Sequence, residues 1–507
     1  MRKAMEGPVT RPRPDARTLI NEVLDPGSWK SWDQTPVDPA EPGSDYAREL
    51  AAVRERSGYD ESVLTGEGLL DGRRVAVVVC EFSFLAGSIG VAAAERLVTA
   101  VERATKEGLP LLAAPASGGT RMQEGALAFV QMVKITAAVA AHRAAGLPYV
   151  VYLRHPTTGG VFASWGSLAH LTAAEPGALV GFLGPRVYEA LYGEPFPEGV
   201  QRAENLYEHG LIDAVVSAGD LRDIAIRALA VLCAPRRAAR SEPERPAEAA
   251  PADAWESITR SRRSDRPGVR ALLKLAATDV TPLNGTGTGE NDPGLLLALA
   301  RFGTAPAVVL GQDRRGQRAV APLGPAGLRV ARRGVRLAAE LDLPLVSVID
   351  TGGAALSKES EEGGLAAEIA RSLSDLVMLE APTVCLLLGE GAGGAALALL
   401  PADRVLCAQH AWLSPLPPEG ASALLHRSTE FAPQVAAAQG VRSADLERDG
   451  IVDRVIPELP DAADEPEEFC GRVARALEYE IAGLMATPSA DRMRARLARY
   501  RDLGRIE

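Results

Sequence analysis

The chain has 507 residues, of which 47% are hydrophobic and 24% charged, and its formal net charge is −11. A chain of this length exceeds one ordinary hydrophobic core, so we expect at least two domains, and the composition is typical of globular proteins. The acidic balance argues against a nucleic-acid binder, because such proteins usually carry a basic face.

Residues 1–20 lack the apolar core of a signal peptide. Apolar runs such as residues 384–388 are too short to cross a bilayer, so the sequence predicts no membrane span. The five cysteines are scattered singly, without a C-x-x-C pair, and the six histidines have no ligand-like spacing. We therefore predict no metal site, no disulfide framework and a cytoplasmic protein with buried thiols.

In chain order, the first predicted elements are a strand over residues 75–80 and a helix over residues 91–101, whose apolar residues recur with a 3.6-residue period. A strand over residues 111–114 then runs into Gly118-Gly119. The next strand, over residues 149–153, leads to Gly159-Gly160. Short apolar strands that alternate with long helices predict an α/β fold with helices packed on a sheet.

Composition changes at residues 235–253, which are rich in Pro, Ala, Arg and Glu and carry no apolar periodicity. Such a stretch is typical of an interdomain linker. We therefore place an N-terminal domain at residues 1–235, a linker at residues 236–254 and a C-terminal domain at residues 255–507.

The second half repeats the pattern, with strands over residues 307–310, 345–349 and 383–388 and a helix over residues 328–338. Glycines and prolines of the two halves coincide at one fixed offset of 234 residues. The matched positions are Gly90 and Gly324, Pro110 and Pro344, Gly118-Gly119 and Gly352-Gly353, Pro148 and Pro382, and Gly159-Gly160 and Gly393-Gly394. The offset predicts two tandem domains related by internal duplication.

A strand that ends in Gly-Gly before a helix leaves backbone N–H groups free, and glycine lets a ligand approach them closely. Such a turn can hold a phosphate, an enolate or an alkoxide. A tight C-cap or close helix–sheet packing explains a single one better, but four such turns in register favour a function. Residues 389–394 also satisfy G-x-G-x-x-G, but no acidic residue follows at the distance that a dinucleotide site requires.

Longer motifs carry a family resemblance. Residues 116–125, ASGGTRMQEG, and 156–161, PTTGGV, closely resemble the β subunit of bacterial acetyl-CoA carboxylase carboxyltransferase. Residues 349–353, 389–394 and 414–420 are similar to its α subunit. The resemblance spans about residues 19–456, and we expect a fused β–α carboxyltransferase.

The resemblance implies a crotonase-like fold in each half. It also implies transfer of a carboxyl group from carboxybiotin to the α-carbon of acetyl-CoA or propionyl-CoA, giving malonyl-CoA or methylmalonyl-CoA. The implied partners are a biotin carboxylase and a biotin carboxyl carrier subunit. A homo-oligomer is implied as well, because in this family the two halves of a site come from different protomers.

Residue roles follow from the same resemblance. The amides of Gly118 and Gly119 would face the thioester oxygen, and those of Gly394 and Ala395 the ureido oxygen of biotin. Arg121 would bind a CoA phosphate or a carboxylate, with an ion pair to Glu124 as the alternative. The remaining turn glycines are expected to shape the substrate and biotin pockets: Gly159, Gly160, Gly352, Gly353 and Gly393.

Three features depart from the family pattern. There is no four-cysteine zinc ribbon, Gly352 replaces a common proline, and neither a biotinylation site nor an ATP-binding loop is found. Two other functions therefore stay open: a decarboxylase acting on malonyl-CoA or a similar thioester, and a non-catalytic scaffold that binds CoA.

Overall fold

The computed structural model describes residues 13–237 and 252–504. These residues form two compact units, one of residues 13–205 and 215–226 and the other of residues 206–214, 227–237 and 252–504. The domain boundaries at residues 235 and 255 stay a prediction, since most of the expected linker, residues 238–251, lies outside the described residues.

The first half of the chain contains nine strands and eight helices among its described residues. The strands are β1 (Lys30–Ser31), β2 (Val63–Leu70), β3 (Arg73–Cys80), β4 (Leu111–Ala114), β5 (Tyr149–Leu153), β6 (Thr157–Thr158), β7 (Leu171–Ala174), β8 (Val180–Gly181) and β9 (Ala214–Val215). The helices are α1 (Ala16–Val23), α2 (Asp45–Ser57), α3 (Val91–Lys106), α4 (Gly125–Ala144), α5 (Gly159–Phe162), α6 (Pro185–Tyr192), α7 (Ala203–Glu208) and α8 (Ala218–Leu232). Short 3₁₀ turns lie at Leu85–Gly87, Met122–Glu124 and Trp165–Ser167.

The described residues of the second half contain eight strands and twelve helices. The strands are β10 (Thr278–Leu283), β11 (Leu295–Phe302), β12 (Ala305–Gln312), β13 (Leu345–Thr351), β14 (Thr383–Ala392), β15 (Arg404–Ala408), β16 (Trp412–Ser414) and β17 (Arg454–Ile456). The helices are α9 (Ala254–Ser261), α10 (Val269–Ala276), α11 (Arg314–Ala319), α12 (Pro325–Leu341), α13 (Lys358–Glu362), α14 (Leu365–Val377), α15 (Gly393–Leu397), α16 (Pro418–His426), α17 (Ala432–Gln439), α18 (Ser443–Arg448), α19 (Pro466–Met485) and α20 (Ser489–Asp502).

The two large sheets have the same strand order. The first sheet is β1-β2-β3-β4-β5-β7-β9, and the main path of the second is β10-β11-β12-β13-β14-β15-β17. In each sheet the first three strands pair antiparallel, and the central strands that follow pair parallel. The predicted α/β fold and its internal duplication are therefore confirmed.

The prolines matched at the 234-residue offset lie where parallel ladders begin. The carbonyl groups of Pro110 and Pro344 accept hydrogen bonds from Ala76 and Val308, with N···O distances of 2.9 and 2.8 Å. Pro148 and Pro382 accept in the same way from the first residues of β4 and β13. A proline has no N–H group to donate, so it fits at the start of a ladder, where only its carbonyl group is bonded.

Helix α4 and the 3₁₀ turn before it make one apolar stretch, Met122–Ala144, which by length and composition alone could cross a membrane. The expectation that no apolar stretch reaches this length is therefore wrong for this helix. Core helices of globular proteins meet the same criterion. Four of its large apolar side chains are exposed: Leu127, Phe129, Val130 and Val133.

One buried histidine in the last turn of α4 makes the stability of the protein depend on pH. His142 is fully buried beside Thr105, and burial lowers the pKa of His142 to about 4. Since the unfolded chain binds its proton near pH 6.5, the neutral ring stabilises the fold above pH 6.5, and this contribution is lost as the pH falls from 6.5 towards 4. Chemical denaturation across this range should show a falling midpoint, and the fall should be shallower in His142→Gln; equal slopes in both proteins would contradict the prediction.

Candidate active site

The first Gly-Gly turn follows β4 and has a backbone that strongly favours glycine. Gly119 has a φ of +111°, and its amide donates to Ser117 Oγ at 3.0 Å. The amide of Gly118 donates to the carbonyl oxygen of Ala86 at 2.9 Å. Both amides are thus already bonded within the first unit. The prediction that they face a thioester oxygen is corrected, since neither offers a free donor in this structure.

The equivalent turn of the second unit follows β13 and is built in the same way. Gly353 has a φ of +133°, and its amide donates to Thr351 Oγ1 at 3.2 Å. A Cβ added at Gly352 or Gly353 would meet no other atom within 4 Å. This turn borders open space, as the predicted biotin-binding role requires, and that role stays a prediction.

Two amides without an acceptor lie instead just after Gly159, in the first turn of α5. The amide of Gly159 donates to the Phe182 carbonyl at 2.8 Å. The amides of Gly160 and Val161 belong to the first turn of α5 and have no acceptor within that helix. A Cβ added at Gly159 would lie 3.3 Å from Gly119 Cα, so the two Gly-Gly turns of the first unit are in close contact.

The second unit presents the same pair of free amides at the start of α15. Gly393 adopts a φ of +67°, close to the +63° of Gly159, and Gly394 and Ala395 follow in the first helical turn. These two residues lie 234 positions after Gly160 and Val161. Gly394 is half-buried, whereas Ala395 and its counterpart Val161 are fully buried residues. The predicted donors of the second unit are therefore free, and the repeat assigns Gly160 and Val161 as their counterparts.

Sequence reasoning missed Val161, although the available signal was sufficient. Moving the predicted pair Gly394 and Ala395 back by 234 residues gives Gly160 and Val161 directly. The prediction used the chemically similar motif at Gly118-Gly119, whose amides are bonded within the unit.

Arg121 is buried beneath the first turn, with its side chain 1% exposed. Its guanidinium bonds to both carboxylate oxygens of Glu61, including Oε2 at 3.0 Å, and to the Ser88 carbonyl at 2.9 Å. Burial by itself lowers the pKa of Arg121, but the hydrogen bonds and charge of Glu61 outweigh burial and raise it. The predicted contact to a CoA phosphate is corrected, because this side chain supports the turn from inside the unit.

The alternative ion pair to Glu124 is present but is not the main contact. Arg121 Nη1 lies 3.4 Å from Glu124 Oε1, and the Tyr46 hydroxyl donates to the same oxygen at 2.5 Å. The second oxygen of Glu124 accepts the amide of Val91, at the start of α3, at 2.6 Å. Glu124 thereby joins α2, α3 and the residues that follow the turn.

No other chemically active cluster competes with these turns in the described parts of the chain. Residues 13–237 and 252–504 contain no group of three or more His, Cys, Asp or Glu side chains that could hold a metal ion. Cys80 is fully buried, and burial raises the pKa of its thiol to about 11.

Comparison with known proteins shows the family of the chain. Residues 16–494 match the model of the carboxyl transferase domain family. A probable biotin-dependent acyl-coenzyme A carboxylase beta3 subunit of Mycobacterium tuberculosis is 61% identical over 488 residues, covering 96% of this chain and 98% of its own. The acetyl-coenzyme A carboxylase carboxyl transferase subunits beta/alpha of Salinispora arenicola are 38% identical, covering 97% and 91%.

Among solved structures, transcarboxylase 12S has a TM-score of 0.71 at 21% identity and covers 90% of this chain and 88% of its own. A single-chain, multi-domain long-chain acyl-CoA carboxylase has a TM-score of 0.70 at 18% identity, with 92% of this chain and 45% of its own covered. These likenesses confirm the expected carboxyltransferase fold of the crotonase type. The chain therefore belongs to the carboxyl transferase domain family, as a carboxyltransferase of the biotin-dependent acyl-CoA carboxylase type.

Proposed function

We propose that this protein transfers a carboxyl group from carboxybiotin to the α-carbon of a short acyl-CoA, acetyl-CoA or propionyl-CoA, and forms malonyl-CoA or methylmalonyl-CoA. The observation that carries the proposal is the pair of free amides that each unit presents at the same position of its repeat. Two separate oxyanions arise in this chemistry, and each pair supplies donors for one of them.

In the first unit, the amides of Gly160 and Val161 are proposed to bind the thioester oxygen of the acyl-CoA. Loss of the α-proton places negative charge on that oxygen, and the two N–H groups stabilise the enolate more strongly than the uncharged thioester. Glycine at position 160 leaves the approach to these donors free of a side chain. This assignment replaces the earlier expectation for Gly118 and Gly119.

In the second unit, the amides of Gly394 and Ala395 are proposed to bind the ureido oxygen of biotin. The open surface at Gly352 and Gly353, where an added Cβ would meet nothing within 4 Å, fits a ring placed next to the backbone. When bound, carboxybiotin supplies the carboxyl group and the base for the α-proton. The protein residues hold and orient the reacting oxygens and need no ionisable side chain for this purpose.

Two kinds of partner follow from the proposal. A biotin carboxylase and its biotin carboxyl carrier must supply the carboxyl group, and a second copy of the chain is proposed to complete each site. The exposed apolar side chains of α4 support self-association, since contiguous apolar surface commonly marks a protein interface. Light scattering at micromolar concentration tests this point, and a monomeric mass under conditions of full activity would contradict it.

The decisive experiment supplies the protein with a biotinylated carrier, its carboxylase, ATP and bicarbonate, and offers acetyl-, propionyl- and longer acyl-CoA substrates. We expect carboxylation of a short acyl-CoA only when every component is present. If no acyl-CoA is carboxylated, the proposal is wrong. The same assay separates the two alternatives, since a decarboxylase consumes malonyl-CoA or a similar thioester without any biotin protein and a scaffold binds CoA without turnover.

A further inference from the structure

A fully buried glutamine lies at the end of β12, directly beneath the free amides of the second unit. Gln312 has an exposed fraction of 0%. Its Nε2 donates to the carbonyl oxygen of Ala395 at 2.7 Å, and its Oε1 accepts the amide of Asp350 at 3.1 Å. One partner is an acceptor and the other a donor, so the two bonds fix the orientation of the side-chain amide.

These two bonds connect β12 with β13 and with the helix that follows β14. Gln312 closes β12, Asp350 lies two residues before Gly352 on β13, and Ala395 belongs to the first turn of α15, which follows β14. The carboxylate of Asp350 is held in turn by Arg314, with contacts of 2.7 to 3.0 Å, and accepts the amide of Glu390 at 3.2 Å. Through Asp350, Glu390 and Ala395, these hydrogen bonds therefore hold the backbone next to both glycine turns of the second unit.

The first unit has no equivalent of this glutamine. The strand register places Cys80 at this position, because Ala76 pairs with Leu111 as Val308 pairs with Leu345, and Cys80 closes β3 as Gln312 closes β12. The turn of that unit is followed instead by the buried pair of Arg121 and Glu61. Burying an amide side chain is costly unless each of its polar atoms is bonded. Gln312 occupies a position where a valine or leucine would pack without that cost, which points to a role specific to the second unit.

We propose that Gln312 is a positioning residue for the second amide pair. By holding the Ala395 carbonyl, it sets the orientation of the first turn of α15 and so the direction in which the Gly394 and Ala395 amides point. This inference rests on the proposed function for the chemistry of those amides. The positional part concerns the backbone alone and can be measured separately.

The test compares Gln312→Met with Gln312→Glu. The methionine has a similar length and loses both hydrogen bonds. Single-turnover transfer from a preformed carboxylated carrier should fall about 10- to 100-fold, as expected when donors are displaced by a fraction of an ångström, while the KM for acyl-CoA stays near its original value. A fall in stability without a change in transfer rate would overturn the proposal.

The glutamate variant adds a signature that simple loss of packing does not give. A protonated carboxyl group can still donate to the Ala395 carbonyl, whereas a carboxylate cannot. Transfer by Gln312→Glu should therefore approach the wild-type rate at low pH and fall as the pH rises, relative to the wild type at each pH. Gln439→Glu, an exposed position at the end of α17, is the matched control and should follow the wild type. Parallel pH profiles for all three proteins would overturn the proposal.

Hydrogen exchange gives a readout that does not depend on catalysis. In Gln312→Met, the peptide that covers residues 389–400 should exchange faster than in the wild type, while peptides from β4 and α5 should not change. Unchanged exchange at residues 389–400 would contradict the positioning role even if the wild-type protein transferred no carboxyl group. Conversely, faster exchange in a protein without activity would leave the positioning role standing and contradict the proposed function.

Discussion

Replacing Gly160 with valine is expected to lower kcat/KM for carboxyl transfer about 100- to 1,000-fold, the range observed when oxyanion donors are lost. Gly160 has an ordinary φ, and an added Cβ would lie 3.1 Å from Met132 Cγ and 3.2 Å from Thr120 Oγ1, both side-chain atoms. Both contacts are tighter than ordinary van der Waals contact, so valine displaces the side chains of Met132 and Thr120 and crowds the amides of Gly160 and Val161. The denaturation midpoint of the variant is measured first, to show that it is folded. Steady-state kinetics over an acyl-CoA concentration series measures the effect.

Gly219→Val is the matched control. An added Cβ at Gly219 meets only Ser217 Oγ, at 3.9 Å, so this variant should keep its activity. Gly119→Ala separates the two placements of the first oxyanion site. At φ +111° alanine is strained, so this variant should lose stability first. Full turnover by folded Gly160→Val would show that the thioester oxygen binds elsewhere.

The second large effect is a loss of stability, expected when the buried ion pair of Arg121 and Glu61 is broken. Arg121→Met leaves the carboxylate of Glu61, which is 0% exposed, without its cationic partner. Removing one member of a buried pair typically costs about 3–5 kcal/mol, because the remaining charge is desolvated and uncompensated. We expect chemical denaturation to show a loss of this size, with the midpoint shifted to lower denaturant concentration.

Two further variants test the cause of that loss. Adding Glu61→Gln to Arg121→Met removes the stranded charge and should recover part of the stability. Arg74→Met, which removes an exposed arginine from its contacts with Glu67 and Glu107, should change stability little, because solvent screens such pairs. A double variant as unstable as Arg121→Met alone would point to lost packing and not to the unpaired carboxylate.

The central α/β pattern and the duplication were predictable because glycine and proline have specific backbone roles. Pro110 and Pro344 begin ladders, and Gly119 and Gly353 adopt the positive φ that glycine favours. Residues with such constraints reveal the repeat even where the side chains between them have diverged. The antiparallel strands β2 and β11 were not predicted, although each has eight residues, and neither were β6, β8 and β16, which have two or three residues each.

The site was predictable only where its contacts are local in sequence. The acceptor that occupies the Gly118 amide is the carbonyl of Ala86, a non-glycine residue at φ +54°, which no sequence pattern indicates. Arg121 pairs chiefly with Glu61, 60 residues upstream, whereas spacing along a helix suggested Glu124. In both cases the partner, Ala86 or Glu61, is distant in sequence and comes close only in the folded unit.

The hydroxyl that accepts the second glycine amide is a support that both turns share, as Ser117 in one unit and Thr351 in the other. A backbone bridge is shared as well, between Ile89 and Thr120 in one unit and Leu323 and Ala354 in the other. The deeper supports, Arg121 with Glu61 in one half and Gln312 in the other, belong to each half alone and record divergence after duplication. The two halves therefore differ in the buried contacts next to their glycine turns, and a substitution in one half requires no matching substitution in the other.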